Sequence, residues 1–227
     1  MTESQSDLIT IANPRSPVSE AYRTLRTNIQ FASVDKELRT LLVTSASPEE
    51  GKSTTLANLA VTLAQSEKRV ILVDCDLRRP SLHKLFRLDN AAGLVSMMVD
   101  DEALQAPPLQ ETGVPGLWLL ASGTLPPRPS DLLGSQRMAR IIEGLLTRAD
   151  MLLFDAPPVL TVTDAAILAT KMDGVLLVVN ANHTKREQIL NAKAQLEKVN
   201  ANIVGTVLNN VDLNKRLGYY YGEPEAR

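Results

Sequence analysis

The apolar run Leu38-Arg39-Thr40-Leu41-Leu42-Val43-Thr44 leads into Ser47-Pro48-Glu49-Glu50-Gly51-Lys52-Ser53-Thr54, and Leu56-Ala57-Asn58-Leu59-Ala60-Val61 follows at helical spacing. Strand, loop and helix in that order are the context in which Gly-Lys-Ser binds phosphate. Backbone N–H groups of the loop and the helix N-terminus form a nest for anionic oxygens. In that setting Lys52 reaches the β- and γ-phosphates of a nucleotide, and the Ser53 hydroxyl ligates magnesium. Gly-Lys-Ser is short, and Ala46 replaces the first glycine of the general pattern, so the reading needs support from elsewhere in the chain.

Outward from the loop, strand-like runs recur at Val70–Asp74, Leu117–Ala121, Leu152–Asp155, Val175–Asn180 and Ile203–Leu208. Helical patterns at Ser135–Leu146, Asp164–Ala169 and Lys185–Val199 separate most of them. The runs are nearly continuous in Leu, Ile and Val, as in strands buried on both faces of a parallel sheet. Strand and helix in alternation predict a doubly wound α/β fold, with ligands at the carboxyl ends of the strands. A helix is expected from Ser19 to Phe31, burying a stripe of Tyr22, Leu25, Ile29 and Ala32. Residues 1–15 read as a polar lead, 16–212 as one domain and 213–227 as a loose tail. Residues 101–116 and 122–130 read as loops.

Two strand ends strengthen the phosphate reading. Asp74 and Asp76 stand two residues apart after Ile71-Leu72-Val73, and side chains at i and i+2 leave one face of a strand. Leu152-Leu153-Phe154-Asp155 supplies a third carboxylate, followed by Ala156-Pro157-Pro158. Three carboxylates around a triphosphate would repel it without a divalent cation between them, so ATP with magnesium is the expected ligand. Three unrelated helix-capping aspartates are the bland alternative.

Composition narrows the classes further. With 227 residues and 44% hydrophobic content, the chain can build one substantial core. Its net charge of -2 offers no general attraction to nucleic acid. No apolar run approaches the ~20 residues that cross a bilayer. The single cysteine, Cys75, cannot form an intrachain disulfide. Met1-Thr2-Glu3-Ser4 lacks the features of a secretory signal, and a cytoplasmic protein is expected.

Three of the four tyrosines, Tyr219, Tyr220 and Tyr221, adjoin one another near the C-terminus. A phosphate-donor site and a cluster of phenols on one chain suggest self-phosphorylation. A chance aromatic run in a loose segment is the alternative.

Taken together, several separated segments resemble the bacterial tyrosine kinases of capsule and exopolysaccharide synthesis. They are the loop, Asp74-x-Asp76-x-Arg78-Arg79-Pro80, Gly123-Thr124-Leu125-Pro126-Pro127-Arg128-Pro129-Ser130, Asp155-Ala156-Pro157-Pro158, Glu20-x-x-Arg23-x-x-Arg26 and the tyrosine tail. The resemblance runs from about Ser16 to the tail. It implies that Pro48, Glu49, Glu50, Gly51, Lys52, Ser53 and Thr54 cradle the phosphates. It also implies that Ser53, Asp74 and Asp155 serve the metal, Asp155 through water. Asp74 would sit beside the acceptor hydroxyl and help take its proton, with Asp76 in support. Asn209 matches a position that contacts adenine in related ATPases, although a polar turn residue after a strand would look the same. Glu20, Arg23 and Arg26 match a motif for subunit contact in a ring, where one subunit's tail enters the next active site. Their bland reading is a solvated helix face with an i,i+3 ion pair. Arg78 and Arg79 have phosphate or carboxylate partners, or are surface charge.

The resemblance further implies a membrane polysaccharide co-polymerase as activator, a tyrosine phosphatase and sugar-pathway enzyme substrates. It places the protein at the inner face of the membrane through that partner, and a free-standing kinase is the expected form. One departure stands out: Glu49 occupies a position that is usually glycine. If that position has positive φ, a side chain costs about 1–2 kcal/mol, and the carboxylate weakens nucleotide affinity. Two other functions fit parts of the pattern. A partition or division-site ATPase would carry a lysine where Ser47 stands. A regulatory scaffold would bind nucleotide without transferring phosphate.

Overall fold

A computed structural model describes residues 8–32 and 37–211. Its strands are β1 (Thr40–Ser45), β2 (Val70–Asp74), β3 (Gln110–Glu111), β4 (Leu117–Leu120), β5 (Met151–Asp155), β6 (Gly174–Asn180) and β7 (Ile203–Asn209). The helices are α1 (Ile9–Ala12), α2 (Pro17–Phe31), α3 (Lys52–Ala64), α4 (Leu82–Phe86) and α5 (Leu94–Val99). They continue with α6 (Asp101–Gln105), α7 (Pro129–Gly134), α8 (Gln136–Leu146), α9 (Asp164–Ala169) and α10 (Arg186–Lys198). The seven strands form one sheet in the order β3-β4-β2-β5-β1-β6-β7, parallel except for the pairing of β3 with β4.

Period-2 alternation sends neighbouring residues of each strand into two cores. On one face Leu42, Ile71, Val73, Phe154, Val175 and Leu177 pack under the α5, α8 and α9 side chains. On the other, Leu41, Val43, Leu72, Leu153, Leu176 and Val178 pack under α3. Every residue of β1, β2, β5 and β6 is buried, as the unbroken apolar runs require. Phe154 is among the largest fully buried side chains, and its truncation to alanine would cost about 3–5 kcal/mol. The doubly wound α/β arrangement expected from the sequence is present.

Four stretches differ from expectation. Residues 8–12 belong to the fold: Leu8 is fully buried, and the Thr10 N–H and hydroxyl both donate to Asn58 Oδ1, at 3.1 and 2.8 Å. Residues 101–116 carry α6 and the antiparallel edge strand β3, and 129–134 form α7. These elements are too short for a periodic signal and are fixed by tertiary contacts; Gln110, for example, bonds both the N–H and the carbonyl of Asp89. On α2 the buried positions are Ser19 and Ile29, with Tyr22 and Leu25 half-buried, while Ala32 is exposed. The helix starts at Pro17, two residues before the expected Ser19, because the Ser16 side chain accepts the Ser19 N–H at 3.1 Å and Pro17 opens the first turn.

Sheet register positions the chemistry. Strand β5 lies between β1 and β2, so Asp155 is paired with Val43 on one side and Asp74 on the other. The loop after β1 opens above this row of strand ends. On the other flank β6 and β7 end together, with Asn180 paired to Asn209.

Candidate active site

The loop between β1 and α3 is held by a glycine that no other residue could replace without cost. Gly51 has φ 85°, and an ideal Cβ there would lie 2.1 Å from Asn209 Nδ2. Asn209 uses that close approach to donate to the Glu50 carbonyl at 3.0 Å. Glu49 adopts φ 62°, the left-handed conformation for which the sequence suggested a glycine, and its side chain is exposed at the cavity mouth. Glu50 is different. Its side chain is buried, accepting from the Ala46 N–H at 3.1 Å and from the Thr184 hydroxyl at 2.7 Å. Only its backbone is left to serve phosphates, so the expected nucleotide contact is not made by the carboxylate.

Lys52, Ser53, Asp76 and Asp155 converge. Lys52 Nζ lies 3.0 Å from Asp76 Oδ2, 3.3 Å from Asp155 Oδ1 and 3.2 Å from Ser53 Oγ. The Ser53 hydroxyl donates to Asp155 Oδ2 at 2.5 Å. Burial alone would lower the Lys52 pKa, but the charges of Asp155 and Asp76, with hydrogen bonds to both, hold it above its ordinary value. Asp155 is fully buried; that burial raises its pKa, and Lys52 and Ser53 offset only part of the rise.

Asp74 departs from its expected place beside an acceptor. Its Oδ1 accepts the Asp76 N–H at 3.2 Å, and its Oδ2 accepts the N–H groups of Ser81 and Leu82 at 3.1 and 3.0 Å. The carboxylate therefore braces the turn from β2 into α4 and does not line the cavity. Burial, then the charge of Asp155, pushes its pKa up to about 8, against the Leu82 N–H bond. Asp76 is the strand-end aspartate that lines the cavity; its Oδ1 accepts the Arg79 N–H at 3.0 Å.

The cavity is about 460 Å³, enough for a nucleotide's phosphates and an incoming side chain. Pro48, Glu49, Gly51, Lys52, Ser53 and Thr54 form one wall, and Arg79, Pro157, Pro158 and Thr161 face them. Arg78, also at the rim, resolves its two readings in favour of a carboxylate. Its Nε and Nη2 bond Asp164 at 2.9 and 3.1 Å, and Ser130 Oγ donates to the same fully buried carboxylate at 2.7 Å. Asp164 carried no sequence signal beyond opening a helix; its burial comes from packing of α7 against α9.

The oxygen donors suit magnesium. Ser53 Oγ and Asp155 offer hard ligands in one place, and the Lys52 ammonium among them shows that the pocket holds positive charge. Among the described residues no group of His, Cys, Asp and Glu forms a metal cage of its own.

Of the three candidate contact residues on α2, two are paired with each other. Arg23 bonds Glu20 at 2.6 Å and the Pro14 carbonyl at 2.5 Å. Arg26 turns inward to the Thr62 carbonyl on α3 at 2.8 Å. Tyr219, Tyr220 and Tyr221 lie outside the described residues.

Residues 41–220 match the model of the CobQ/CobB/MinD/ParA nucleotide binding domain family. The chain is 42% identical over 219 residues to tyrosine-protein kinase YwqD of Bacillus subtilis (strain 168), covering 96% of this chain and 92% of that protein. The chain belongs to the bacterial tyrosine-protein kinase family. Within this kinase family it is 36% identical over 208 residues to putative tyrosine-protein kinase CapB of Staphylococcus aureus, covering 92% of this chain and 91% of that one. It spans 29% of the length of tyrosine-protein kinase etk of Escherichia coli (strain K12), at 33% identity and 94% of its own length. Two solved structures superpose on this kinase chain with a TM-score of 0.86. The chimerical protein CapA2B2 is 36% identical and covers 90% of this chain and 89% of that one. The Escherichia coli ETK kinase domain is 33% identical and covers 90% and 80%. The septum site-determining protein MinD from Pyrococcus horikoshii, complexed with Mg-ADP, shares the fold at 22% identity and a TM-score of 0.63, covering 82% of this chain and 72% of that one.

Proposed function

We propose that this member of the bacterial tyrosine-protein kinases is an ATP- and magnesium-dependent autokinase whose acceptors are Tyr219, Tyr220 and Tyr221, reached between subunits. The observation that carries the reading is the convergence of Lys52, Ser53 and Asp76, which line one cavity, with the buried Asp155 bonded to Lys52 and Ser53 behind them.

Each residue has a task in that chemistry. The loop N–H groups and Lys52 bind the phosphates, and Ser53 and Asp155 hold the metal, Asp155 through water. Bound magnesium neutralises charge on the transferring phosphoryl group. A phenol has a pKa near 10, so its proton must leave as the oxygen attacks. Asp76, the carboxylate that faces the cavity, takes that proton; the phenolic O–P bond forms, the bond to the β-phosphate oxygen breaks, and ADP departs. Lys52 exchanges Asp76 for the phosphates when nucleotide enters. Asn209, beside the loop, contacts the adenine.

The cellular role follows from the family resemblance: control of polysaccharide polymerisation and export through a ring of subunits. A membrane co-polymerase activates the ring and holds it at the inner face of the membrane; a phosphatase resets it. Among the described residues no helix is long and apolar enough to cross a membrane, which agrees with attachment through a partner. Glu20 and Arg23 form the exposed part of the subunit contact, since Arg26 is committed to α3.

The partition-ATPase alternative is disfavoured by one contact. Ser47, at the place of those enzymes' lysine, accepts a bond from Gln188 Nε2 at 3.1 Å and is held within its own chain. Replacing Tyr219, Tyr220 and Tyr221 together by Phe separates the readings. A kinase loses its self-labelling by γ-phosphate-labelled ATP, whereas a partition-type ATPase keeps its turnover and gains no label with either chain.

A further inference from the structure

We infer that Glu50 and Thr184 form a latch that fixes the phosphate loop to the segment joining β6 and α10, making both positioning residues for bound nucleotide. The inference deepens the nucleotide reading above and rests on it.

The loop from Ala46 to Gly51 has glycine only at its end, and Glu49 stands at φ 62°, where greater backbone freedom would ease the turn. Something must hold its shape, and the Glu50 side chain does so. It is 3% exposed, and each of its oxygens has a donor. Oε2 takes the Ala46 N–H, closing the loop across four residues, while Oε1 takes the Thr184 hydroxyl. Thr184 Oγ1 in turn accepts the Asn180 N–H at 3.0 Å, so the latch ends on the last residue of β6. A carboxylate this buried needs both donors, because losing one leaves a charged oxygen without water or partner.

Two other contacts converge on the same stretch. Asn209, paired with Asn180 across the sheet, donates to the Glu50 carbonyl. Gln188, in the first turn of α10, donates to Ser47 Oγ and accepts the Lys185 N–H. The ends of β6 and β7 therefore grip the loop from one side, by its side chain and by its backbone. That side also carries Asn209, the residue read as the adenine contact. Occupancy of the base site and the shape of the phosphate nest are then mechanically joined, and Glu50 is the joint. A loop held only by its own backbone would need no such acid, and a plain core acid would not have both oxygens committed to two different segments.

The test measures Kd for MgATP and for magnesium tripolyphosphate, the second probing the phosphate nest without a base. Thr184→Val removes the hydroxyl and keeps the shape; Thr184→Ser keeps the hydroxyl. Thr184→Val should weaken both ligands about tenfold, and Thr184→Ser should bind within about twofold of wild type. The unliganded Thr184→Val protein should melt a few degrees below wild type, because Glu50 Oε1 and the Asn180 N–H each lose a buried partner, and Thr184→Ser should restore it. Wild-type affinity in Thr184→Val overturns the latch. So does a loss for MgATP alone, which would confine Thr184 to the base side, or a loss that Thr184→Ser does not rescue. If Thr184→Val does not fold, Glu50→Gln carries the test, with the same loss expected and wild-type affinity overturning the idea. Wild-type protein that binds neither ligand would instead sink the nucleotide reading itself, and the latch with it.

Discussion

Lys52 and Asp76 are joined through Nζ and Oδ2 at 3.0 Å, across the floor of the cavity that would receive the phosphates. The lysine thus neutralises that carboxylate, and in the proposed mechanism nucleotide phosphates would draw the lysine away before Asp76 could act on an acceptor. Asp76→Asn keeps the shape and removes the base. Phosphoryl transfer should fall by about 10²–10⁴-fold, with MgATP affinity within a few-fold of wild type. Steady-state transfer and a binding isotherm on the same preparation check this; an unchanged rate would remove Asp76 from the chemistry.

The pH dependence of stability follows from Asp74. Its folded pKa of about 8 lies above the ordinary 3.8, so the folded state keeps a proton that the unfolded chain has lost. Stability from this group is therefore full below about pH 4 and is lost as pH rises toward 8. Asp155, raised for the same first reason, acts in the same direction. Chemical denaturation of the unliganded protein between about pH 5 and 8 should show stability falling with pH, and Asp74→Asn should flatten that slope. Equal slopes in the two proteins would contradict it.

Glu49 is held at φ 62° with its carboxylate at the cavity mouth. Replacing it by Gly relieves about 1 kcal/mol of left-handed strain, but the added freedom of the unfolded chain offsets roughly 0.5–1 kcal/mol. Net stability should barely move. Affinity is the sensitive quantity, because an exposed charge near the phosphates contributes about 1 kcal/mol or less in water. Glu49→Gly should tighten MgATP binding a few-fold at low salt and less at high salt. Calorimetric titration at two ionic strengths tests it, and an unchanged Kd at both would show that the carboxylate does not reach the phosphates.

Arg78 and Ser130 are the side-chain donors to the buried Asp164 carboxylate. Arg78→Ala should destabilise the fold by about 2 kcal/mol, below the range for a fully buried pair because the Arg78 side chain is 42% exposed. Replacing Asp164 by Asn together with Arg78→Ala should recover part of that loss, since no unpaired charge remains. Urea denaturation of the single and double variants decides; a single variant as stable as wild type would show that the pair is only a surface contact.

Much of the fold was legible because β1, β2, β5 and β6 are unbroken apolar runs buried on both faces. Asp76 and Asp155 follow two of those strands and both reach Lys52 of the loop, whereas Asp74, expected from its i, i+2 spacing to point into the same crevice as Asp76, does not. Asp74 was misplaced because i and i+2 spacing fixes a side chain's face and says nothing of backbone donors. Ser81 and Leu82 lie further along a turn that periodicity cannot describe. Glu50 was grouped with the phosphate contacts since motif position alone cannot tell an inward side chain from an outward one. Thr184 and Asp164 carry no pattern of their own, and their roles arise only when distant segments pack. The α2 charges show the same limit: spacing anticipated the Glu20–Arg23 pair, but not the turn of Arg26 onto α3.

The most direct test of the account is mass-spectrometric phosphosite mapping after incubation with Mg-ATP, comparing wild type with Lys52→Met, with and without the cytoplasmic segment of a candidate membrane activator. The account predicts phosphate on Tyr219, Tyr220 and Tyr221 in the wild type and none on the Lys52→Met chain. Nucleotide bound but no tyrosine phosphorylated under any condition would contradict it and favour a nucleotide-dependent scaffold.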